Sequence, residues 1–342
     1  LAATYFAALA STASMGPARG STMLCLAAVC CAHARAQEPT FKSQSPLVIV
    51  PVTVSSKNGE RVWGLKDSDF QLLDNGRVRQ VTVEPWGTYQ SHVALVVVIQ
   101  TSTIAKAALL KVKKMAAMLD NITGEGGEVA VITVDNEVKT RLDFATHWEP
   151  IQETFEKLYA GGGRTGRILD GVEAAISLLA KKPPGQRRLV LLLSEARDRG
   201  SAAKASDVLT HAEQQNVTIY TASYSAYVTP FTTKATELQP AAAGGLDILA
   251  LFTEVAHATK QNVGKALADY TGGRNLSFET LHRLEDDLTE IGKEVHSQYQ
   301  LSFVPASETN AVYHQLTVMI KDHPDALVRA RPGYWSGVGE SQ

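Results

Sequence analysis

The sequence predicts an α/β protein: a doubly wound, mostly parallel sheet with helices on both faces, flanked by β segments that pair into a small β-sandwich. Three observations predict it. Between residues 92 and 281, apolar runs of strand length alternate with segments whose apolar residues recur at helical spacing. Those runs are apolar throughout, as strands covered on both faces require. On either side of this region the pattern turns to β, with one amphipathic helix between.

The leading β segment spans residues 45–86. "LVIVPVTVSS" is β-branched and apolar, and "DFQLLDNGRVRQVTVE" holds two strand-like runs joined at Asn75-Gly76. Asn-Gly suits a type I′ hairpin, whose two central residues both need positive φ. The segment is too short to be stable alone. The α/β region, 92–281, opens with the strand "VALVVVIQ" (93–100) and then the helical "AKAALLKVKKMAAML", with Leu109, Val112, Met115 and Leu119 on one face. Next come "EVAVITVDN" (128–136) and its partner "VKTRLDF" (138–144). A helix with Ile168, Val172, Ile176 and Leu179 aligned precedes the buried strand "RRLVLLLSEA" (187–196). "KASDVLTHAEQQN" is a helix, "VTIYTASYS" (217–225) a strand, and 226–246 a loop. One helix over about 247–271 and a short strand "RNLSFET" complete the region. Residues 282–298 form an amphipathic helix through Leu284, Leu288, Ile291 and Val295. "YQLSFVP", "YHQLTVMIKD" and "LVRAR" form the trailing β segment, 299–335, which completes the sandwich.

Residues 1–36 differ from the rest. They contain no Asp, Glu or Lys, and "MLCLAAVCCAHARA" joins a short apolar stretch to Ala34-Arg35-Ala36, with Arg19 upstream. These are the parts of a signal peptide cleaved after Ala36. Export to the periplasm, cell envelope or exterior follows. The alternative of lipid attachment at Cys30 or Cys31 fits poorly, because Ala28-Val29 is a weak lipobox. All three cysteines lie in this segment, so the mature chain has neither a disulfide framework nor a thiolate metal site. No later apolar run reaches transmembrane length.

The 342-residue chain is 44% hydrophobic and 20% charged, which is ordinary globular composition. Its formal charge is −2, with 33 basic and 35 acidic residues; loss of Arg19 and Arg35 takes the mature chain to −4. Nothing in that balance points to nucleic acid. "GGGRTGR" places Gly161 and Gly166 at P-loop spacing, but Arg167 and Ile168 replace the Lys and Ser/Thr that hold phosphate and Mg²⁺. The run also follows a helix rather than a strand, so no nucleotide is expected. No His-Glu-x-x-His pair and no Gly-x-Ser-x-Gly elbow is present. No catalytic residues are predicted. His257 and His282 read as helix-surface or helix-start residues, and Trp63, Trp86, Trp148 and Trp335 as packing residues.

In a doubly wound sheet ligands bind at the carboxyl ends of the strands, where Gln100–Ile104 and Ser194–Asp198 fall. With its elements in this order, the α/β region resembles a von Willebrand factor type A domain. Together with its flanks the chain resembles the bacterial, chiefly acidobacterial, group labelled VWFA-related. "GLKDSDFQLLDNGRVRQV", "SQYQLSFVP" and "VRARPGYW" carry the likeness, which covers about residues 45–335. It implies a metal-ion-dependent adhesion site: Asp-x-Ser-x-Ser on a first loop, a Thr on a second and an Asp on a third, holding Mg²⁺ by hard oxygens. A partner's carboxylate then completes the shell.

This sequence departs from that pattern. Gln100 stands where the first Asp is expected, Ser102 matches the first Ser, and Ile104 replaces the second. Thr165 matches the Thr, and Glu195-Ala196 replaces the Asp-Gly of the third loop. The set lacks one formal charge and one hydroxyl, and Mg²⁺ is strict about both charge and geometry. The expectation is a degenerate site of Gln100, Ser102, Thr165 and Glu195, with no cofactor, in an exported, non-enzymatic, protein-binding module. Its contact loops are 100–105, 161–167 and 195–201, where Arg164 and Arg167 offer guanidinium donors to an acidic partner. One alternative keeps weak Mg²⁺ binding through Ser102, Thr165 and Glu195, with Asp198 compensating. Others are an exported enzyme with an unrecognised site and a structural envelope component.

Overall fold

The computed structural model describes residues 47–84, 92–183, 185–224, 248–305, 312–323 and 325–336, with backbone alone at Ile104 and 248–252. The expected signal segment, Trp86 and the 226–246 loop lie outside the described residues.

Strands β1 (Val48–Ser55), β2 (Phe70–Asp74), β3 (Arg77–Arg79) and β4 (Thr82–Glu84) precede the central sheet. That sheet comprises β5 (Val93–Gln100), β6 (Glu128–Val134), β7 (Val138–Ala145), β8 (Arg187–Ser194), β9 (Val217–Ser223) and β10 (Asn275–Ser277), in the spatial order β10-β9-β8-β5-β6-β7. Only β7 runs antiparallel. Four strands follow, not three: β11 (Tyr299–Phe303), β12 (Val312–Ile320), β13 (Leu327–Arg329) and β14 (Gly333–Ser336).

The helices are α1 (Lys106–Val112), α2 (Asp120–Thr123), α3 (Trp148–Glu156), α4 (Ile168–Leu179), α5 (Ala205–Gln214), α6 (Ile248–Gln261), α7 (Val263–Thr271) and α8 (Leu281–Ser297). They cover both faces. Leu95, Val97 and Ile99 of β5 pack with residues of α1, α3 and α8. Ala94, Val96 and Val98 pack with α4, α5 and α7. Every residue of β5 is therefore buried, which is why the sequence shows no alternation there. Helix α8 belongs to this packing: Leu284, Leu288, Ile291 and Val295 lie in the same cluster as β5, β6 and β8.

Two expected helices are broken. The 106–119 segment tightens after α1 into i→i+3 hydrogen bonds, from Met115 N to Val112 O, Met118 N to Met115 O and Leu119 N to Ala116 O. The apolar spacing from Leu109 through Val112 to Met115 is three residues, which matches a 3-10 turn better than the 3.6 of an α-helix. Leu109, Val112, Met115 and Leu119 still share the buried face. The 247–271 helix stops at Asn262, whose extended backbone and side-chain oxygen cap α7 by accepting from Lys265 N at 2.9 Å.

The flanking strands form two four-stranded antiparallel sheets, β13-β1-β11-β4 and β14-β12-β2-β3. Val50, Val52, Leu72, Leu301 and Leu316, from both sheets, share one core, so the two make a sandwich. Asn75 and Gly76 take φ of 49° and 76° at the β2–β3 turn, as a type I′ hairpin requires. The run after Gly76 is split: β3 stays beside β2, while β4 crosses to pair with β11.

A buried charge cluster joins the sandwich to the α/β layers. Glu294 of α8 has a fully buried side chain and pairs with Arg329 of β13, with Arg61 at 3.5 Å and with Arg274 at 3.7 Å. Burial, then the Glu294 charge, pushes the nearby Tyr220 hydroxyl far above its ordinary range. Glu213 of α5 is also buried, and desolvation, only partly offset by Arg331, pushes its carboxyl up to about 8.

Two outcomes follow from this joint. Arg329→Ala leaves Glu294 with its weaker partners and is expected to cost about 3 kcal/mol, whereas the double replacement Glu294→Met/Arg329→Met recovers most of that loss; urea midpoints measure both. Glu213 is a carboxyl whose folded pKa is raised, so the native state holds a proton that the unfolded chain releases. Its contribution is favourable below pH 4.5 and is lost as pH rises toward about 8. Thermal midpoints are expected to fall across that window, and Glu213→Gln to flatten the fall.

Candidate functional site

The strand order reverses at β5: the chain continues outward through β6 on one side and returns through β8 on the other. Gln100 ends β5 and Ser194 ends β8, so both loops open at this switch point.

Gln100 has no exposed surface, so its amide needs partners inside the protein. Its Oε1 accepts from the backbone N–H of Glu195 at 2.9 Å. That bond fixes the amide's orientation. Nε2 then donates to Ser102 Oγ at 2.8 Å and to Glu195 Oε1 at 3.4 Å. Gly166 lies against this amide, and a Cβ there would stand 2.4 Å from Gln100 Nε2. Glycine at 166 is thus required by close approach rather than by a turn. The structure brings Gln100, Ser102 and Glu195 together.

Thr165 is placed beside them but turned away. Its hydroxyl donates to Asp135 O at 3.2 Å and Asn136 Oδ1 at 2.5 Å. Asp198, a further carboxylate near these loops, is engaged at a helix end. Its Oδ1 accepts from the N–H groups of Ile168 (2.7 Å) and Leu169 (3.1 Å) and from Ser201 Oγ (2.7 Å). It caps the first turn of α4, where free N–H groups and the helix dipole favour a carboxylate.

Several further residues at this site were not singled out by the sequence pattern. Arg199 Nε reaches Glu195 Oε1 at 3.4 Å, an i,i+4 pair that only a folded loop brings into register. Asn136 follows β6 and holds Thr165; its place after a strand was the one available clue. Tyr224, at the end of β9, is buried, and desolvation followed by the Glu195 charge pushes its hydroxyl well above the usual range. The loops are fastened to one another: Gly161 N donates to Thr101 O (2.7 Å), Thr103 N to Gly163 O (2.9 Å) and Gly166 N to Arg199 O (3.0 Å). Arg167 pairs with Asp170 at 2.7 Å. Burial raises the Asp170 carboxyl, but hydrogen bonds from Ala203 and Ala202 N–H and from Arg167 outweigh it and hold it below the usual range. Arg164 and Arg197 stand exposed on these fastened loops.

Ser102 Oγ and Glu195 Oε1 both face the amide nitrogen of Gln100, and the Arg199 guanidinium lies beside the second. Among the described residues, no group of three or more His, Cys, Asp and Glu side chains could hold a metal ion.

No protein-family model matches the chain, and no curated protein matches it. Among solved structures it is similar to a von Willebrand factor type A protein from Catenulispora acidiphila, at 12% identity and TM-score 0.43, over 88% of this chain and 76% of that one. It is also similar to the conserved hypothetical protein BatB from Bacteroides thetaiotaomicron, at 12% identity and TM-score 0.40, over 59% of this chain and 99% of that one. A third is proximal thread matrix protein 1 from the mussel byssus, whose MIDAS motif holds zinc, at 15% identity and TM-score 0.41, over 61% of this chain and 47% of that one.

Proposed function

We propose that this protein is an exported, non-enzymatic protein-binding module whose contact face is the carboxyl end of the central sheet and works without a metal ion. The observation that carries this reading is the Gln100 amide, which bridges Ser102 and Glu195 where a cation would otherwise link them. Gln100, Ser102, Thr165 and Glu195 then serve as a closed scaffold. They hold the three loops in one shape and leave contact to the residues around them.

Arg164 and Arg197, exposed on these loops, give that face its chemistry, while Arg167 is held by Asp170. A guanidinium fork matches a carboxylate in two-point geometry. The partner is therefore a protein surface that presents acidic side chains. Export rests on the signal-like pattern of residues 1–36. Among the described residues, no helix is long and apolar enough to cross a membrane.

Calorimetric titration with Mg²⁺ and Mn²⁺ tests the metal-free reading. The wild-type chain is expected to give no saturable heat at millimolar metal. The triple variant Gln100→Asp/Ile104→Ser/Glu195→Asp, which restores the missing carboxylate, hydroxyl and side-chain length, is expected to gain saturable binding. Saturable binding by the wild type that Glu195→Ala abolishes would overturn the reading. A photocrosslinker at Arg164 or Arg197 tests the face itself. The same adduct is expected with and without EDTA, and charge reversal at the neighbouring arginine should remove it. An adduct that EDTA abolishes, or that charge reversal leaves intact, counts against an arginine-lined, metal-independent face.

A further inference from the structure

At the opposite end of the central sheet, a cavity of about 60 Å³ lies between the amino ends of β8 and β9 and the sandwich strands β1 and β11. Its lining includes Glu84, Arg187, Arg188, Glu213, Gln300 and Arg331. Two of these are buried without adequate partners. Arg331 is 4% exposed and Glu213 6% exposed. Arg331 Nη1 donates to the backbone oxygen of Glu213 at 3.3 Å, but its Nε has no partner. Glu213 Oε2 has none either. A buried guanidinium carries five N–H donors, and leaving such groups unpaired is costly.

The other arginines are already committed. Arg187 donates to Val295 O, to Gln298 Oε1 and, with the Gln300 amide oxygen turned toward it, to Gln300 as well. Arg188 donates to Lys182 O at 2.7 Å and Gln215 O at 3.0 Å. Three guanidinium groups, of Arg187, Arg188 and Arg331, line this cavity with two carboxyl side chains, Glu84 and Glu213, and desolvation at Glu213 favours its neutral form. Nearby, Arg61, Arg274 and Arg329 already share Glu294. Arginine side chains therefore outnumber carboxyls at this joint, and Arg331 is the one among them that is buried.

We infer that this cavity binds a small oxyanion, a carboxylate or a phosphate of a few heavy atoms, between the Arg331 guanidinium and the Glu213 carboxyl. The anion would accept from Arg331 Nε and from the protonated carboxyl, so both unpartnered groups are satisfied at once. A volume of about 60 Å³ holds several waters or one such ion. Water alone would satisfy the hydrogen bonds but not the charge. The inference is independent of the contact face described above.

The test is calorimetry of the full chain with acetate and with inorganic phosphate, at constant ionic strength in chloride, which separates the two oxyanion classes. At least one is expected to bind saturably. Arg331→Lys keeps the charge but loses the fork, and should weaken binding at least about tenfold. Glu213→Gln keeps a neutral donor of the same shape and should keep the affinity within about threefold, and loss of binding in it overturns the placement beside that carboxyl. No saturable signal from either anion means a water-filled cavity and overturns the proposal. Equal affinity in Arg331→Lys overturns it too, by placing the anion elsewhere.

Discussion

The carboxyl end of the sheet is governed by one buried amide. Gln100 is the last residue of a strand enclosed on both faces, and it has no access to water. A side chain so placed must find every partner within the protein. It does so in a single orientation, set by the Glu195 N–H. That orientation decides the rest: Ser102 becomes an acceptor of an amide proton, and the Glu195 carboxylate is shared between that amide and Arg199. A site for a cation needs oxygens that converge on an empty point. Here they converge on a nitrogen that already carries hydrogens. The same bridge draws the first and third loops together, and Gly166 closes against it from the second.

The other end of the sheet is organised by charge rather than by an amide. The sandwich is built from segments more than two hundred residues apart, with β1 paired to β11 and β2 to β12. Its apolar core is shared between its own two sheets. What ties it to the α/β layers includes Glu294 among three arginines, together with Tyr313, which packs with residues of α5 and α7. Buried ion clusters are poor sources of net stability but strict about geometry. Such a joint fixes the orientation of the sandwich more than it strengthens the fold, and it explains why arginine gathers where the strands begin.

Much of this was legible in the sequence because it depends on local pattern. Continuous apolar runs marked the strands of the parallel sheet. Asn75-Gly76 marked the hairpin, since its positive φ values are a property of those two residues. The faces of the helices were also legible: Leu109, Val112, Met115 and Leu119 are buried together even though their helix is broken. The breaks were less visible because they depend on hydrogen bonds rather than on hydrophobicity. Asn262 reads as an ordinary polar residue until its side chain is seen capping α7. At the site, the departures at Gln100, Ile104 and Glu195 were plain, but the amide bridge from Gln100 to Ser102 and Glu195 was not. Asp198 looked available as a ligand because sequence proximity says nothing of the helix end that claims it. Arg199 and Asn136 act only through loops that the fold brings together.

The most direct measurement is of the Gln100 side-chain amide by ¹⁵N-resolved nuclear magnetic resonance, assigned with Gln100→Glu as a reference. A closed amide bridge predicts a proton pair that exchanges slowly with solvent and keeps its shift when millimolar Mg²⁺ is added. An amide that exchanges as fast as an exposed glutamine, or that moves on addition of Mg²⁺, contradicts the bridge and restores the cation to this site.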